Sequence, residues 1–440
     1  MKKISQESYM FATYATAYSL VAVTHKGLGF LIFFWFARTL SQSEYAVFGL
    51  LYALQTGLIA ITTAGVVEMV IGQHRTHADQ QGRQRLYGVG NGVFVWLILL
   101  GAVGALGIYF GLIARYANFW DVALIFIGSI LLAFFTLQAS FFRLDEAHGQ
   151  SLLLIFFPPV LGFVFAYVGF VVWGTLTAFF GGMAAALLTI FFIFRRLMLV
   201  QLPLNMRVGE LISIKGEILP YIVIALLAWL SGYGSTYLVE FMFDMMDVAK
   251  FTFFYTLSSV LQIAATALNQ VWSPRFFRVA RELPMSELEC RNAAFYGVQG
   301  VVLGLIGAVV LLLLRPGVDM VGGNLTSYRD AGQGLTWLFA GYAVGMPWWH
   351  AQNYYYVNKQ GGPLMRMVTL STVLGLLVWF GLMMSLGAHG IYVGFFALML
   401  IRSLVVWLHA RALWPIRLMW HGPLVAVSML LVGVLLADFI

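Results

Sequence analysis

Apolar segments long enough to cross a bilayer follow one another along almost the whole chain, separated only by short polar breaks. A membrane-spanning helix needs about 20 apolar residues, and a soluble domain has no use for many such segments in a row. Only 10% of the 440 residues are charged, whereas soluble domains carry about 25%. So few charges cannot cover a water-facing surface, and most of the outer surface must therefore face lipid.

The segments predict an all-α polytopic membrane protein with twelve core spans and a final run that is long enough to be a thirteenth. The predicted spans are 10–37, 45–73, 86–113, 120–142, 150–172, 175–196, 216–242, 250–273, 291–314, 333–357, 364–386 and 389–411, and the final run is 422–438. Turn residues mark the breaks, as in 358–363. The breaks are short, so no sizeable domain is expected outside the membrane.

The basic residues predict the orientation, because cytoplasmic loops carry an excess of lysine and arginine. With the N-terminus inside, eighteen of the 25 basic residues fall in inner segments and five in outer ones, and Lys26 and Arg402 lie within spans. This split accounts for the net charge of +7 without nucleic acid or another polyanion as a partner. The predicted location is a bacterial inner (cytoplasmic) membrane.

Motifs for covalent chemistry are missing from the sequence. Cys290 is the single cysteine, which excludes an internal disulfide and a cysteine-rich metal site. The histidines lack metal-ligand spacing, and no glycine-rich phosphate-binding loop with its Lys-Ser/Thr occurs. We therefore expect no metal, no cofactor and no enzymatic activity.

Two segments 203 residues apart, 44–54 and 247–257, resemble each other. The identical pairs are Ala46/Ala249, Phe48/Phe251, Tyr52/Tyr255 and Leu54/Leu257. Each segment opens the second helix of a six-helix half, and because six is even, the halves are predicted to be parallel repeats about an axis along the membrane normal. The predicted division is an N-lobe at 1–196, a cytoplasmic linker at 197–215, a C-lobe at 216–411 and a C-terminal segment at 412–440.

Lys26 lies about 24 Å along the predicted first helix, too deep for its amine to reach water easily. A charge at this depth is costly unless it faces a partner or a polar cavity. His25 is its neighbour, and Ser19 lies on the same face of the helix. Two interpretations stay open: a structural ion pair or an early helix break, and a cationic ligand for a phosphate or pyrophosphate in a water-filled cavity.

Arg402 in the twelfth predicted span is the second embedded cation. It lies near enough to the inner end for its side chain to reach the interface. Alternatively, its planar guanidinium suits bidentate binding of a pyrophosphate.

The eighth predicted span carries polar residues at helical spacing on an otherwise apolar helix. They are Ser258, Gln262, Thr266, Asn269 and Ser273. In lipid such a stripe must face protein or water, so it predicts either hydrogen bonds between helices or the lining of a cavity. We expect Gln262 and Asn269 to line a cavity.

The tenth predicted span contains Pro347, which should kink the helix, followed by Trp348, Trp349 and Gln352. Aromatic and amide side chains together suit sugar rings. An aromatic belt at the inner interface is the alternative, and we favour it for the tyrosines at 354–356.

The segment Leu40-Ser-Gln-Ser-Glu-Tyr45-Ala-Val-Phe48 resembles a motif of polysaccharide (O-antigen-type) flippases, Leu-Ser-x-x-Glu-Tyr-Gly-x-Phe/Tyr, with Ala46 in place of the usual glycine. The segments 247–257 and Trp272-Ser-Pro274 are also similar to parts of that family. The family belongs to the multidrug/oligosaccharidyl-lipid/polysaccharide exporter superfamily.

The resemblance implies two six-helix lobes around a V-shaped cavity that opens alternately to each side. It implies a polyprenyl-pyrophosphate-linked oligosaccharide as the substrate, with its lipid in the bilayer, its pyrophosphate on Lys26 and Arg402, and polysaccharide polymerases as partners. The alternatives are a multidrug exporter of the same superfamily, which should carry cavity carboxylates, and a membrane-embedded polysaccharide polymerase or ligase, which should carry a large outer loop. A scaffold without transport activity is disfavoured by the embedded charges.

Overall fold

The computed structural model describes residues 20–21, 24, 27–63, 65–67, 69–70, 80–199, 208–329, 332–358, 360–417 and 419–437. Within these ranges the chain is almost entirely helical. The helices are α1 (Gly27–Thr39), α2 (Gln42–Thr63), α3 (Gln80–Ile108), α4 (Phe119–Leu144), α5 (His148–Trp173), α6 (Leu176–Leu199), α7 (Val208–Leu230), α8 (Ser235–Met242), α9 (Met245–Glu282), α10 (Met285–Val321), α11 (Gly332–Val344), α12 (Met346–Val357), α13 (Gly361–Leu386), α14 (His389–Leu413) and α15 (His421–Ala437). A π-helical turn, Tyr109–Ile113, extends α3, and a 3₁₀ helix, Gly323–Tyr328, follows α10.

Nine helices of the described ranges are each long and apolar enough to cross a membrane. The pair α7 and α8, bent by 46° at the break between them, makes a tenth if it is one span. The chain is thus the multi-pass, all-helical membrane protein that its composition predicts. The predicted first span lies largely outside the described residues, and α1 covers its end.

The tenth predicted span is two helices, because the chain turns at Gly345 between α11 and α12. Pro347 lies in the first turn of α12, where its missing N–H has no intrahelical partner to lose. The helix is therefore interrupted at Gly345, two residues before the position where the kink is predicted.

Helices α9 and α10 are longer than the predicted spans 250–273 and 291–314. They have 38 and 37 residues, or about 55 Å each, well beyond the roughly 30 Å of a bilayer core. Charged residues such as Arg275 and Arg278 end the apolar run, but they do not end the helix. The length of the apolar run therefore underestimated the length of both helices.

Contacts group the chain into two compact units, one of Met1–Ile32 with Leu50–Trp229 and one of Phe33–Gly49 with Leu230–Ile440. Phe33–Gly49, from the predicted N-lobe, thus belongs to the second unit. The six-plus-six division itself stays a prediction.

In the first unit, α3, α4 and the middle of α7 share an apolar core, in which the rings of Tyr87 and Phe141 stack at 4.5 Å. Polar groups buried in this unit bond to one another, as Gln138 Nε2 does to Asn91 Oδ1 at 3.0 Å. This unit therefore buries amide side chains without leaving them unpaired.

In the second unit, α15 packs along α10 through small residues. A Cβ on Gly300 would overlap the backbone of Gly422, and one on Gly304 would lie 3.0 Å from the Cα of Ala426. Close approach of two helices through small residues is the usual way in which helices associate in lipid. Helix α15 is therefore an integral part of the second unit.

Candidate functional site

Arg402 lies in the middle of α14, and only 8% of its surface is exposed. No other charged residue lies between positions 390 and 408 of this helix, so the helix places a single charge inside the second unit. A charged side chain at the centre of a membrane helix costs about 3 kcal/mol or more unless it is compensated. The contacts of this guanidinium therefore decide what the site can do.

Two hydroxyl groups from neighbouring helices hold the guanidinium. Nη2 of Arg402 donates to Ser231 Oγ, just after α7, and to Thr372 Oγ1 on α13, each at 2.8 Å. Ser231 and Thr372 are themselves buried. Since hydroxyl oxygens are neutral acceptors, they orient the guanidinium but do not neutralise it.

Aromatic side chains complete the surroundings of Arg402. Its guanidinium carbon lies 6.0 Å from the centre of the Trp348 ring on α12, at the outer limit of a cation–π contact. The positive charge also acts on Tyr255 of α9, which lies beside Tyr342 of α11. Five helices and the end of α7 thus contribute to one polar site, which we call the Arg402 site.

Among the described residues no carboxylate forms an ion pair with Arg402, and its Nε has no hydrogen-bond partner. A buried guanidinium with unused donors and an uncompensated charge favours an anion. Phosphate and carboxylate oxygens match its planar geometry best. The Arg402 site therefore has a charge and an unused donor that suit an anionic group.

The predicted cations of the first helix, Lys26 and His25, lie outside the described residues, as does Glu68. Their proposed contact with the substrate stays a prediction.

The polar stripe of α9 divides into two parts. Gln262 and Thr266 are exposed, whereas Asn269 and Ser273 bond to Asn353 of α12. The distances are 3.3 Å from Asn353 Nδ2 to Asn269 Oδ1 and 3.0 Å from Ser273 Oγ to Asn353 Oδ1. At Asn269 the structure thus has the hydrogen bonding between helices that was the alternative prediction, while Gln262 stays available to a ligand.

On α12, the half-buried Trp349 has no contact with Arg402, and it is the neighbouring Trp348 that approaches the guanidinium. Gln352, also half-buried, donates to the hydroxyl of Tyr356 one turn later. Tyr354 and Tyr355 are buried in an apolar core, whereas Tyr356 is exposed. The aromatic belt at the inner interface stays a prediction.

A second polar network in this unit surrounds His350, which is 4% exposed. Its Nδ1 lies 2.9 Å from Asn292 Oδ1 and its Nε2 lies 3.0 Å from Gln299 Oε1, both on α10. Trp272 Nε1 donates to the same Asn292 oxygen at 3.1 Å. These side chains bond mainly to each other, so the network connects helices, and Gln299 Nε2 is its one buried donor without a hydrogen-bond partner among the described residues.

The fold is similar to those of solved membrane transporters. The lipid II flippase MurJ in an inward closed conformation is 12% identical to this chain, with 94% of this chain and 97% of MurJ covered and a TM-score of 0.65. A multidrug resistance MATE family transporter of the MOP superfamily in an inward-facing conformation is 15% identical, with 91% and 97% covered and a TM-score of 0.59. A MATE protein in the bent conformation is 13% identical, with 95% and 94% covered and a TM-score of 0.54. The chain has the MOP superfamily fold.

No family model matches the sequence, and no curated protein matches it. The predicted resemblance to flippases of this superfamily agrees with the MOP fold. At these identities the likeness establishes the fold alone.

Within the MOP fold, sequence reasoning identified Arg402 but missed Ser231 and Thr372. Single hydroxyl residues in apolar spans have no periodicity that would single them out. The signal that could have found them is Arg402 itself, because a buried guanidinium needs acceptors from the helices beside it.

Proposed function

We propose that this chain is a flippase that moves a polyprenyl-pyrophosphate-linked oligosaccharide across the bacterial inner membrane by alternating access, with its N-terminus in the cytoplasm. The glycan would serve cell-surface polysaccharide synthesis, such as that of lipopolysaccharide, and polysaccharide polymerases would be its partners. We further propose that it carries out no covalent chemistry. The observation that carries the proposal is the Arg402 site, a buried cation without an ion pair among the described residues.

The chemistry of this site suits the head of such a substrate. A pyrophosphate carries several anionic oxygens, which a guanidinium can bind through paired N–H donors. The half-buried Trp349 and the exposed Gln262 of the same unit offer the aromatic face and the amide that sugars use. The structural neighbour MurJ is described as a flippase of lipid II, and its fold accommodates such work.

A multidrug exporter of the same superfamily is the main alternative, and the carboxylates argue against it. Cationic drugs require available acidic groups, but the buried Asp121 accepts from the Thr177 hydroxyl and the Asn118 N–H. Buried Glu289 accepts from the Tyr354 hydroxyl and the Arg417 N–H. Two of the three buried carboxylates among the described residues are thus engaged by these bonds, and Arg402 would repel a cation.

A membrane-embedded polymerase or ligase is the alternative from a different class. Such an enzyme needs a large outer loop, and the longest predicted outer segment, 315–332, is mostly helix in its described part. Helix α10 continues to Val321, and a 3₁₀ helix follows it. Little unstructured chain is left there to form a catalytic domain.

The experiment is a deletion of the gene complemented by the wild type, Arg402→Gln, Arg402→Lys or Arg411→Gln. Arg411 is exposed in the last turn of α14 and serves as the matched control for loss of one positive charge. We expect lipid-linked oligosaccharide to accumulate in the deletion strain and with Arg402→Gln, as measured by mass spectrometry of lipid extracts. Wild type and Arg411→Gln should restore surface glycan, and Arg402→Lys should restore part of it because the charge persists.

Protein level in the membrane is measured for every variant, so that loss of folding is recognised. Normal lipid extracts from the deletion strain would contradict the flippase proposal as a whole. Full surface glycan with Arg402→Gln would contradict the role of Arg402 alone.

A further inference from the structure

A pocket of about 660 Å³ lies in the second unit, where three breaks between helices meet. Its described lining residues come from the α1–α2 turn (Ser41, Gln42, Ser43), the start of α9 (Asp244, Met245, Met246) and the 3₁₀ helix after α10 (Gly323, Asn324, Thr326, Ser327). The charge pattern places all three breaks on the outer side of the membrane. We call this the outer pocket.

Specific contacts fix the walls of the outer pocket. Asn324 Nδ2 donates to the Leu40 carbonyl at 2.8 Å, joining the 3₁₀ helix to the α1–α2 turn. Behind them, the ring of Tyr328 stacks on Phe253 of α9 at 4.6 Å and lies 5.9 Å from Tyr45 of α2. The three segments thus form one packed structure, and the pocket is largely preformed.

A glycine is needed at one point of this wall. Gly323 has a φ of +68°, a conformation that other residues rarely adopt. A Cβ there would also lie 3.0 Å from the Arg38 carbonyl oxygen. The close approach of the two segments therefore depends on this residue.

The electrostatics of the outer pocket disfavour an anion. Helices α2 and α9 both begin at the pocket, and free helix N-termini attract anions. However, Glu44 Oε2 already accepts from the Ser41 N–H, and Asp244 Oδ1 already accepts from the Asp247 N–H, each at 2.9 Å. The described lining includes the carboxylate of Asp244 but no basic residue. Burial also raises the pKa of the neighbouring Tyr328, so its hydroxyl stays neutral.

The lining instead suits a neutral molecule rich in hydroxyl groups. Serine, threonine, asparagine and glutamine side chains can both donate and accept hydrogen bonds, as sugar hydroxyls do. Met245 and Met246 add adaptable apolar surface for the C–H face of a sugar ring. The volume lies within the range of about 300–1,000 Å³ that is typical of ligand pockets.

We propose that the outer pocket binds neutral sugar units of the translocated glycan on the outer face of the membrane. This inference rests on the proposed function for the source of the sugar. It adds a saccharide subsite separate from the Arg402 site, with Gln42, Ser43, Asn324 and Ser327 as its hydrogen-bonding groups. The two sites divide the substrate by chemistry, one for the anionic head and one for the neutral sugars.

Saturation-transfer NMR on the purified full-length protein tests binding without any transport assay. The detergent is lauryldimethylamine oxide, because maltoside detergents themselves carry sugar. The probes are maltotriose, tri-N-acetylchitotriose and glucuronate. We expect saturation transfer to at least one neutral trisaccharide and a weaker signal for the anionic glucuronate.

Two variants fill the pocket from different walls, Ser43→Phe and Ser327→Phe. Ser385→Phe is the matched control, since Ser385 is an exposed serine at the predicted outer end of α13 in the same unit. The trisaccharide signal should fall by about fivefold or more in both pocket variants, the effect of losing at least one hydrogen bond. It should persist in Ser385→Phe, and all three should elute as monodisperse protein.

Signals of equal strength in the wild type and in both pocket variants would overturn the proposal, as would the lack of any signal from the two trisaccharides. The lipid extract of the deletion strain distinguishes failure of the saccharide subsite from failure of the proposed flippase function. If lipid-linked glycan accumulates in the deletion strain but the pocket variants bind as well as the wild type, the subsite proposal is contradicted and the flippase proposal is supported. If binding depends on the pocket but no lipid-linked glycan accumulates in the deletion strain, a saccharide site is supported and the flippase proposal is contradicted.

Discussion

Arg402 on α14 and Thr372 on α13 are joined by a hydrogen bond of 2.8 Å from Nη2 to the threonine hydroxyl oxygen. This bond fixes the direction of a guanidinium that has no ion pair among the described residues. Its donors are therefore presented in one orientation. Orientation of a charge by neutral groups leaves the charge available to a substrate.

The Thr372 hydroxyl should contribute to stability only through Arg402. Thr372→Val leaves charged donors unsatisfied and should lower the free energy of unfolding by about 1–3 kcal/mol, measured by denaturation in detergent. Thr189→Val is the matched control, because the exposed Thr189 bonds within its own helix. In an Arg402→Gln background, Thr372→Val should lower the free energy of unfolding by much less. Equal costs in both backgrounds would show that the two residues are not coupled.

The two halves of the α9 stripe should respond differently to substitution. Asn269→Leu removes the bond to Asn353 and should lower stability by about 1 kcal/mol. Gln262→Leu, at an exposed position, should leave stability unchanged and reduce transport of the glycan. Unfolding in detergent and surface glycan are measured for each single variant. Full export with Gln262→Leu would exclude a role for Gln262 in substrate binding.

Helix α15 should be required for folding of the second unit, and two glycines one turn apart on α10 test this. Gly300→Ala places a methyl group against the Gly422 backbone and should cost about 1–3 kcal/mol by overpacking. Gly297→Ala is the control, since its nearest neighbouring atom would be 3.7 Å away. Thermal unfolding of the purified variants is the measurement. Equal melting temperatures would mean that the α10–α15 contact does not support the fold.

The predicted orientation can be tested with the native cysteine. Cys290 is exposed near the start of α10, on the predicted inner side. An impermeant maleimide should label it only after cells are permeabilised, whereas Ser327→Cys in a Cys290→Ser background should react in intact cells. Labelling of Cys290 in intact cells would contradict the predicted orientation. So would labelling of a cysteine introduced at position 80, within the predicted inner segment 74–85.

Composition and charge pattern were sufficient to predict the helical membrane class and most of the helices. They failed where apolar character and helix formation differ. Arg275 and Arg278 end an apolar run, but α9 continues to Glu282, and the helix is interrupted at Gly345 within a continuous apolar run. Hydropathy records burial in lipid, whereas helix ends depend on local backbone geometry.

The Arg402 site was predictable only in part, because the sequence shows an embedded charge but not the contacts that surround it. Arg402 was recognisable because a charge in a span needs an explanation. Ser231, Thr372 and the network around His350 were not, since their roles arise from contacts between distant helices. The role of the Gly300 and Gly422 pair likewise depends on which faces meet. The roles of Lys26 and His25 in binding the substrate remain predictions from the sequence.

The central claim is that the chain moves a lipid-linked glycan between leaflets. The most direct measurement uses proteoliposomes that contain the purified protein and a fluorescent polyprenyl-pyrophosphate oligosaccharide, with an impermeant dithionite quencher added outside. In the wild type and in Arg411→Gln, the quenched fraction should rise from about half toward completion as inner-leaflet substrate crosses. In Arg402→Gln it should stop near half, as in empty liposomes. A wild-type protein that also stops near half, while correctly folded and inserted, would contradict the account.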